Sequence, residues 1–169
     1  RDDDPDAPAL YVANYIFGGD AGLSSRLVNR LRQKDGLSYS VGSGLSTGTR
    51  QRLSSWTVAA MVAPQNAARA EHAFLDELER ARRDGFTAEE VAEAKKSIVE
   101  TRAVNRSQDS AVASRWISLL DLDRTWQQSK DFERKVLAVT PAQVSAAFRK
   151  YIEPEKLTLV IAGDRRKGL

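Results

Sequence analysis

Cysteine is absent from the 169 residues, and histidine and methionine occur once each. Without cysteine there are no disulfides and no thiolate metal sites, though the compartment stays open. The one histidine, His72, has no second imidazole to share a metal with, and carboxylates alone suit calcium or magnesium better than zinc. On a helix His72 falls on the face away from Phe74 and Leu78, so it reads as a solvated side chain near Asp76. No apolar run approaches the length of a membrane span, and no signal peptide opens the chain. Imbalance of charge is also small: 26 basic against 23 acidic residues give a net charge of +3. The basic groups Arg80, Arg82 and Arg83 lie at an expected helix end, where the helix dipole favours them, and Arg165, Arg166 and Lys167 lie in the tail. With no nucleic-acid fold signature beside them, nucleic acid is not an expected partner. The glycine pairs Gly18-Gly19 and Gly42-Ser43-Gly44 lack the Lys-Ser/Thr of a phosphate loop, and no G-x-S-x-G elbow is present.

What the chain has is alternating helix and strand patterning with clear punctuation. Residues 1–8 are acidic, carry Pro5 and Pro8, and read as an unstructured lead-in. A helix is expected from Asp6 or Ala7, with Leu10, Val12, Ala13, Ile16 and Phe17 as its apolar positions and Gly18-Gly19 as its stop. A second runs over about 24–34, with Ser24 as N-cap and Leu23, Leu27, Val28 and Leu31 at helical spacing. Gly36 sits where the chain leaves that helix, a place that often requires positive φ.

Strands are expected over 37–45 and 53–62, paired as an antiparallel hairpin with a long loop. The first alternates Leu37, Tyr39 and Val41 with Ser38 and Ser40, and its Gly42 and Gly44 suggest a bulge or the close approach of another backbone. In the second, Trp56, Val58, Ala60 and Val62 share a face. A helix follows to about Arg83, with Ala70, Phe74, Leu78 and Ala81 inward. Thr87 and Glu90 form a capping box that opens the next helix, and Thr140 and Gln143 another, with Pro141 at the first helical position. Val91, Ala94, Ile98 and Val99 face inward; a break is expected at Asn105-Arg106-Ser107; Val112, Trp116, Leu119 and Leu120 resume the line. Phe132 and Val136 mark a helix over 125–137, and Val144, Ala147, Phe148 and Tyr151 the stripe of the next. Residues 157–162 read as a third, short strand. The fold class is therefore α+β, a small antiparallel sheet covered by several helices, in a single domain over 1–169. The start at Arg1 without Met reads as an excised fragment of a longer chain.

The central stretch LRQKDGLSYSV carries the main functional signal. A helix end, a glycine stop and a strand start bring Arg32 close to Tyr39. Taken alone, this pattern has an ordinary explanation: Arg32 caps the last helical carbonyls, and Tyr39 shares a buried face with Leu37 and Val41. Its functional alternative is a pair of donors for a peptide carbonyl.

The run Phe17-Gly18-Gly19, Ser25-Arg26-Leu27, Leu31-Arg32 and Gly36 through Val41 resembles the pitrilysin/insulinase family of zinc metallopeptidases, the inverzincins, which includes mitochondrial processing peptidase. The likeness is to the C-terminal, non-catalytic half-domain. It continues weakly through Gly85-Phe86-Thr87, Ala94-Lys95 and residues 157–164. It implies that Arg32 and Tyr39 contact the backbone of a peptide or unfolded polypeptide substrate in a proteolytic chamber. It also implies that zinc belongs to an H-x-x-E-H helix in the catalytic half of the parent, or in a partner subunit, and not to this chain, which alone is no peptidase. Asp35 departs from the basic residue many relatives carry, and an acid there can pair with Arg30 or Arg32. The resemblance further implies more strands than these three. An exposed sheet edge is therefore expected, open to a homodimer. Its scaffold subunits supply the alternative function, a structural or assembly module without a peptidase role. The residues leave the compartment open; the exported bacterial members of the family point to the periplasm.

Overall fold

The sequence APALYVAN has no charged side chain, and a helix that is apolar all round must be buried. Helix α1 (Ala7–Asn14) is so, with Pro8 in its first turn, where a missing N–H is harmless. It continues as a π segment, Tyr15–Gly19. The computed structural model describes residues 1–19, 24–50 and 53–163. Leu23 of the expected stripe, Arg52 of the hairpin loop and the tail from Asp164, with Arg165, Arg166 and Lys167, lie outside the described residues.

A second π segment, Val28–Lys34, buries Val28 and Leu31 and leads into strand β1 (Ser38–Ser46). Its entry is held by Ser25, whose Oγ accepts from the Val28 N–H at 3.4 Å, so the capping hydroxyl is one residue later than expected. Strand β2 (Ser55–Val62) pairs antiparallel with β1 in a two-stranded sheet. Val41, Leu45, Trp56, Val58 and Val62 pack from it onto the core, while Ala60, expected beside them, is exposed.

Five further α-helices follow among the described residues, and three of them pack against α1. The five are α2 (Ala67–Asp84), α3 (Ala88–Arg106), α4 (Asp109–Asp121), α5 (Trp126–Ala138) and α6 (Pro141–Tyr151). Both capping boxes form: Thr87 with Glu90 and Thr140 with Gln143 exchange the reciprocal bonds their spacing predicts. The break at Ser107 separates α3 from α4 as expected. α4 departs from its sequence pattern. Only Leu119 is buried, and Trp116 and Leu120 are exposed, because α4 packs mainly along one neighbour, α3. The core is one cluster centred on Phe148, whose ring centroid lies 5.2 Å from that of Phe17, 5.3 Å from Phe86 and 6.1 Å from Trp56.

Two further expectations are corrected. Residues 157–162 form no strand, and Leu159 and Val160 are exposed. An apolar, β-branched run becomes a strand only when it pairs with another backbone, and among the described residues β1 and β2 pair only with each other. Among the described residues the outer edges of that hairpin are unpaired. The acidic lead-in is tethered rather than loose. Asp2 pairs with Arg124, the Asp2 N–H donates to the Gly48 carbonyl at 3.1 Å, Lys150 reaches Asp6 at 2.6 Å, and the Tyr151 hydroxyl donates to Asp4 at 3.1 Å. Tyr151 is thus a polar anchor as much as part of an apolar stripe.

Candidate functional site

The site begins with the winding of Val28–Lys34. In a π turn the N–H reaches back five residues, and here the Asp35 N–H donates to the Arg30 carbonyl at 3.1 Å. The Leu37 N–H then closes onto the Leu31 carbonyl at 2.8 Å. Gly36, at φ +60°, makes that reversal, which a side chain would strain. Leu31 is buried and Arg32, next along, is exposed.

Tyr39 does not follow Leu37 and Val41 into the core. The register runs Ser38 opposite Val62 and Ser40 opposite Met61, so Tyr39 is the extra residue of a β-bulge. A bulge re-aims the side chain it carries. Tyr39 is accordingly 83% exposed, which overturns the buried reading of the strand alternation. Ser38 pins this irregularity. Its buried hydroxyl faces two acceptors, the Ser40 carbonyl at 2.7 Å and the Met61 carbonyl at 2.9 Å. Nothing in the sequence pattern marks Ser38, which reads as an outward position of a regular strand. Replacing Ser38 by alanine leaves both carbonyls without their shared donor, and a loss of about 1–2 kcal/mol in denaturant unfolding is expected.

The bulge and the π turn together put the Arg32 guanidinium 5.9 Å from the centroid of the Tyr39 ring. That is within cation–π range. Among the described residues neither side chain has a hydrogen bond or ion pair, so five guanidinium N–H donors and the phenol remain available. Asp35 does not take Arg32. It lies 3.2 Å from Arg30, whose other end is 3.2 Å from Asp76. Arg30 Nε is buried and the Asp35 carboxylate stands at an angle that makes an ion pair but no hydrogen bond. Arg30, Asp35, Leu37, Arg69 and His72 line a half-open cavity of about 310 Å³. His72 is exposed, and the Asp76 expected beside it pairs with Arg30 instead.

Zinc does not fit this chain: the donor set holds one imidazole and no thiolate, and among the described residues no three His, Asp or Glu side chains converge. The basic helix end of α2 is consumed locally. Arg80 pairs with Glu77, Arg83 with Asp84, and Arg82 donates to the carbonyls of Arg149 and Ile152.

A family model described as the peptidase M16 inactive domain matches residues 1–98. No curated protein matches. Among solved structures, a peptidase M16 inactive domain from Pseudomonas fluorescens is similar with a TM-score of 0.76 at 24% identity, over 89% of this chain and 35% of that one. A protease from Helicobacter pylori gives a TM-score of 0.72 at 20% identity, over 88% and 35%. A candidate zinc protease from Bordetella pertussis Tohama I gives 0.70 at 18% identity, over 90% and 82%. The chain spans about a third of the length of the first two. These likenesses establish the fold.

Proposed function

This chain belongs to the peptidase M16 inactive-domain family, and from that premise we propose that residues 1–169 form one non-catalytic domain that holds peptide substrate for a zinc-bearing catalytic half. Arg32 and Tyr39 are the holding groups, and the domain forms a wall of the proteolytic chamber. The catalytic half lies elsewhere in the parent protein or in a partner subunit, and an open edge of the β1–β2 hairpin offers either it or a second copy of this domain a backbone to pair with. The observation that carries this reading is the exposed, unengaged guanidinium set over an exposed phenol. A core arginine or tyrosine would have its polar atoms satisfied by the protein, whereas these two point donors into solvent where an extended chain offers carbonyls.

The work done by such a pair is positioning. A guanidinium fork and a phenol O–H fix two carbonyls of an extended peptide and so fix the register of the bond between them. Arg32→Ala and Tyr39→Phe in the full protein, with its catalytic half, are each expected to lower kcat/KM on an unstructured peptide about tenfold, the worth of one hydrogen bond to a charged or developing-charge partner. Thermal midpoints should stay where they are, since both side chains are on the surface. Unchanged turnover and peptide affinity in both variants would leave the assembly-module reading in its place.

A further inference from the structure

Helices α3, α4 and α5 enclose a second, half-open cavity of about 170 Å³, on different elements from the Arg32–Tyr39 pair. Its lining includes Arg102, Arg106, Arg115, Asn105, Ser129 and Trp126. Three guanidinium groups around so small a space is an excess of positive charge. Glu133 is the carboxylate that answers it: Arg102 Nε donates to Glu133 at 2.7 Å, and Arg106 pairs with the same oxygen. Arg102 is further engaged by Ser129 Oγ at 2.9 Å and by the face of Phe132, 5.5 Å from its ring centroid.

Arg115 is left over. It is half-buried on α4, and among the described residues it has no hydrogen bond and no ion pair. Burial, and then the like charges of Arg102 and Arg124, push its guanidinium below the ordinary arginine value, with Asp2 opposing. Asp2 is itself held by Arg124. A partly desolvated cation without a fixed partner favours an anion that supplies the missing bonds. The lining offers what an oxyanion needs: charged planar donors from Arg115, Arg102 and Arg106, amide and hydroxyl groups from Asn105 and Ser129, and Trp126 as an apolar wall. The volume suits a small group and not an extended polymer.

We propose that this cavity is a binding site for a small multivalent oxyanion of the phosphate class, with Arg115 as its principal ligand and Arg106 as the second. The group arrives either as free phosphate or as the phosphomonoester of a small molecule. Because Trp126 lines the cavity, occupancy should change tryptophan emission, and calorimetry gives the affinity directly.

The test uses the full protein at fixed ionic strength. Inorganic phosphate, glycerol phosphate and chloride are each titrated into the wild type, Arg115→Gln, Arg106→Gln and a control, Arg134→Gln. Arg134 pairs with Asp131 on the outer face of α5, at 3.0 Å. Saturable binding of phosphate, weakened about tenfold or more by Arg115→Gln and left intact by Arg134→Gln, is the expected result. Tighter binding of the ester than of free phosphate assigns the natural ligand to the ester; the reverse assigns it to the free ion. Circular dichroism of the variants separates loss of binding from loss of fold, and Arg115→Lys, which keeps the charge, should recover part of the affinity. A linear response in which chloride matches phosphate, or equal loss in the Arg134 control, would overturn the site.

Discussion

Phe148→Ala is expected to remove about 3–5 kcal/mol of stability, the usual range for deleting a fully buried aromatic ring. Phe148 is wholly buried on α6, and its ring is met by Phe17 from the π segment after α1, by Trp56 from β2 and by Phe86 from the turn before α3. Four elements therefore meet at one side chain. The Phe86 contact is edge-to-face at 87° and the Trp56 contact at 89°, geometries in which the positive ring edge meets the negative face. Both of these neighbours are tethered by hydrogen bonds, which limits collapse into the space. Trp56 is tied by its Nε1–H to Asn14 Oδ1 at 2.9 Å, and the Phe86 N–H is tied to Ser145 Oγ at 2.9 Å. A cavity that cannot collapse is the costly kind. Since domains of this size are stable by only about 5–15 kcal/mol, the variant should unfold at much lower denaturant or fail to accumulate. Phe148→Leu keeps much of the volume and should lose distinctly less. A loss below about 1 kcal/mol for the alanine variant would mean that the ring is not the centre of the cluster.

The features legible in the sequence were the local ones. A capping box needs two residues three apart, so Thr87–Glu90 and Thr140–Gln143 could be read without any fold. The helix stop at Gly36 and the hairpin were equally local. Periodicity identified most of the core, including Leu31, Leu78, Ile98, Val136 and Phe148. It failed where burial depends on what lies opposite. Trp116 and Leu120 have the spacing of a buried stripe, but α4 has too few neighbours to cover them. Residues 157–162 have strand composition but no strand beside them. The bulge at Tyr39 was invisible because it is a property of the pair: one extra residue is defined only against Met61 and Val62. The tethers of Asp2, Asp4 and Asp6 were missed for a similar reason. Their partners Arg124, Lys150 and Tyr151 lie more than a hundred residues on, and a run of carboxylates carries no period. The Arg32–Tyr39 juxtaposition was expected from the helix–glycine–strand junction, while its role was implied by resemblance alone.

Arg26→Ala is the second large effect, and it couples stability to pH. Arg26 lies just ahead of the Val28–Lys34 segment and reaches across to the start of α3. Its Nε and one terminal nitrogen donate to the two oxygens of Glu90, each at 2.7 Å, and that nitrogen also reaches the Gly85 carbonyl at 2.8 Å. The guanidinium carbon sits 4.7 Å from the Phe86 ring centroid. A forked, partly buried pair of this kind is worth more than an exposed one, and removing one partner strands the other, so about 2–3 kcal/mol should be lost at neutral pH. Lysine will not substitute, because a single ammonium cannot reproduce the fork. Burial opposes ionisation of Glu90, but the bonds from Arg26 and from the Thr87 N–H outweigh it and hold the carboxyl below its ordinary value of 4.5. A carboxyl more acidic in the folded chain than in the unfolded one stabilises the fold above pH 4.5 and ceases to do so as pH falls through its folded value. The wild type should therefore lose stability on acidification below pH 4.5 more steeply than Arg26→Ala, so the gap between them narrows toward acid. Denaturant unfolding of both proteins at neutral pH and at successive steps below pH 4.5 reads this directly. A gap that stays constant would show that Arg26 acts through Gly85 and Phe86 alone, with the carboxylate contributing nothing.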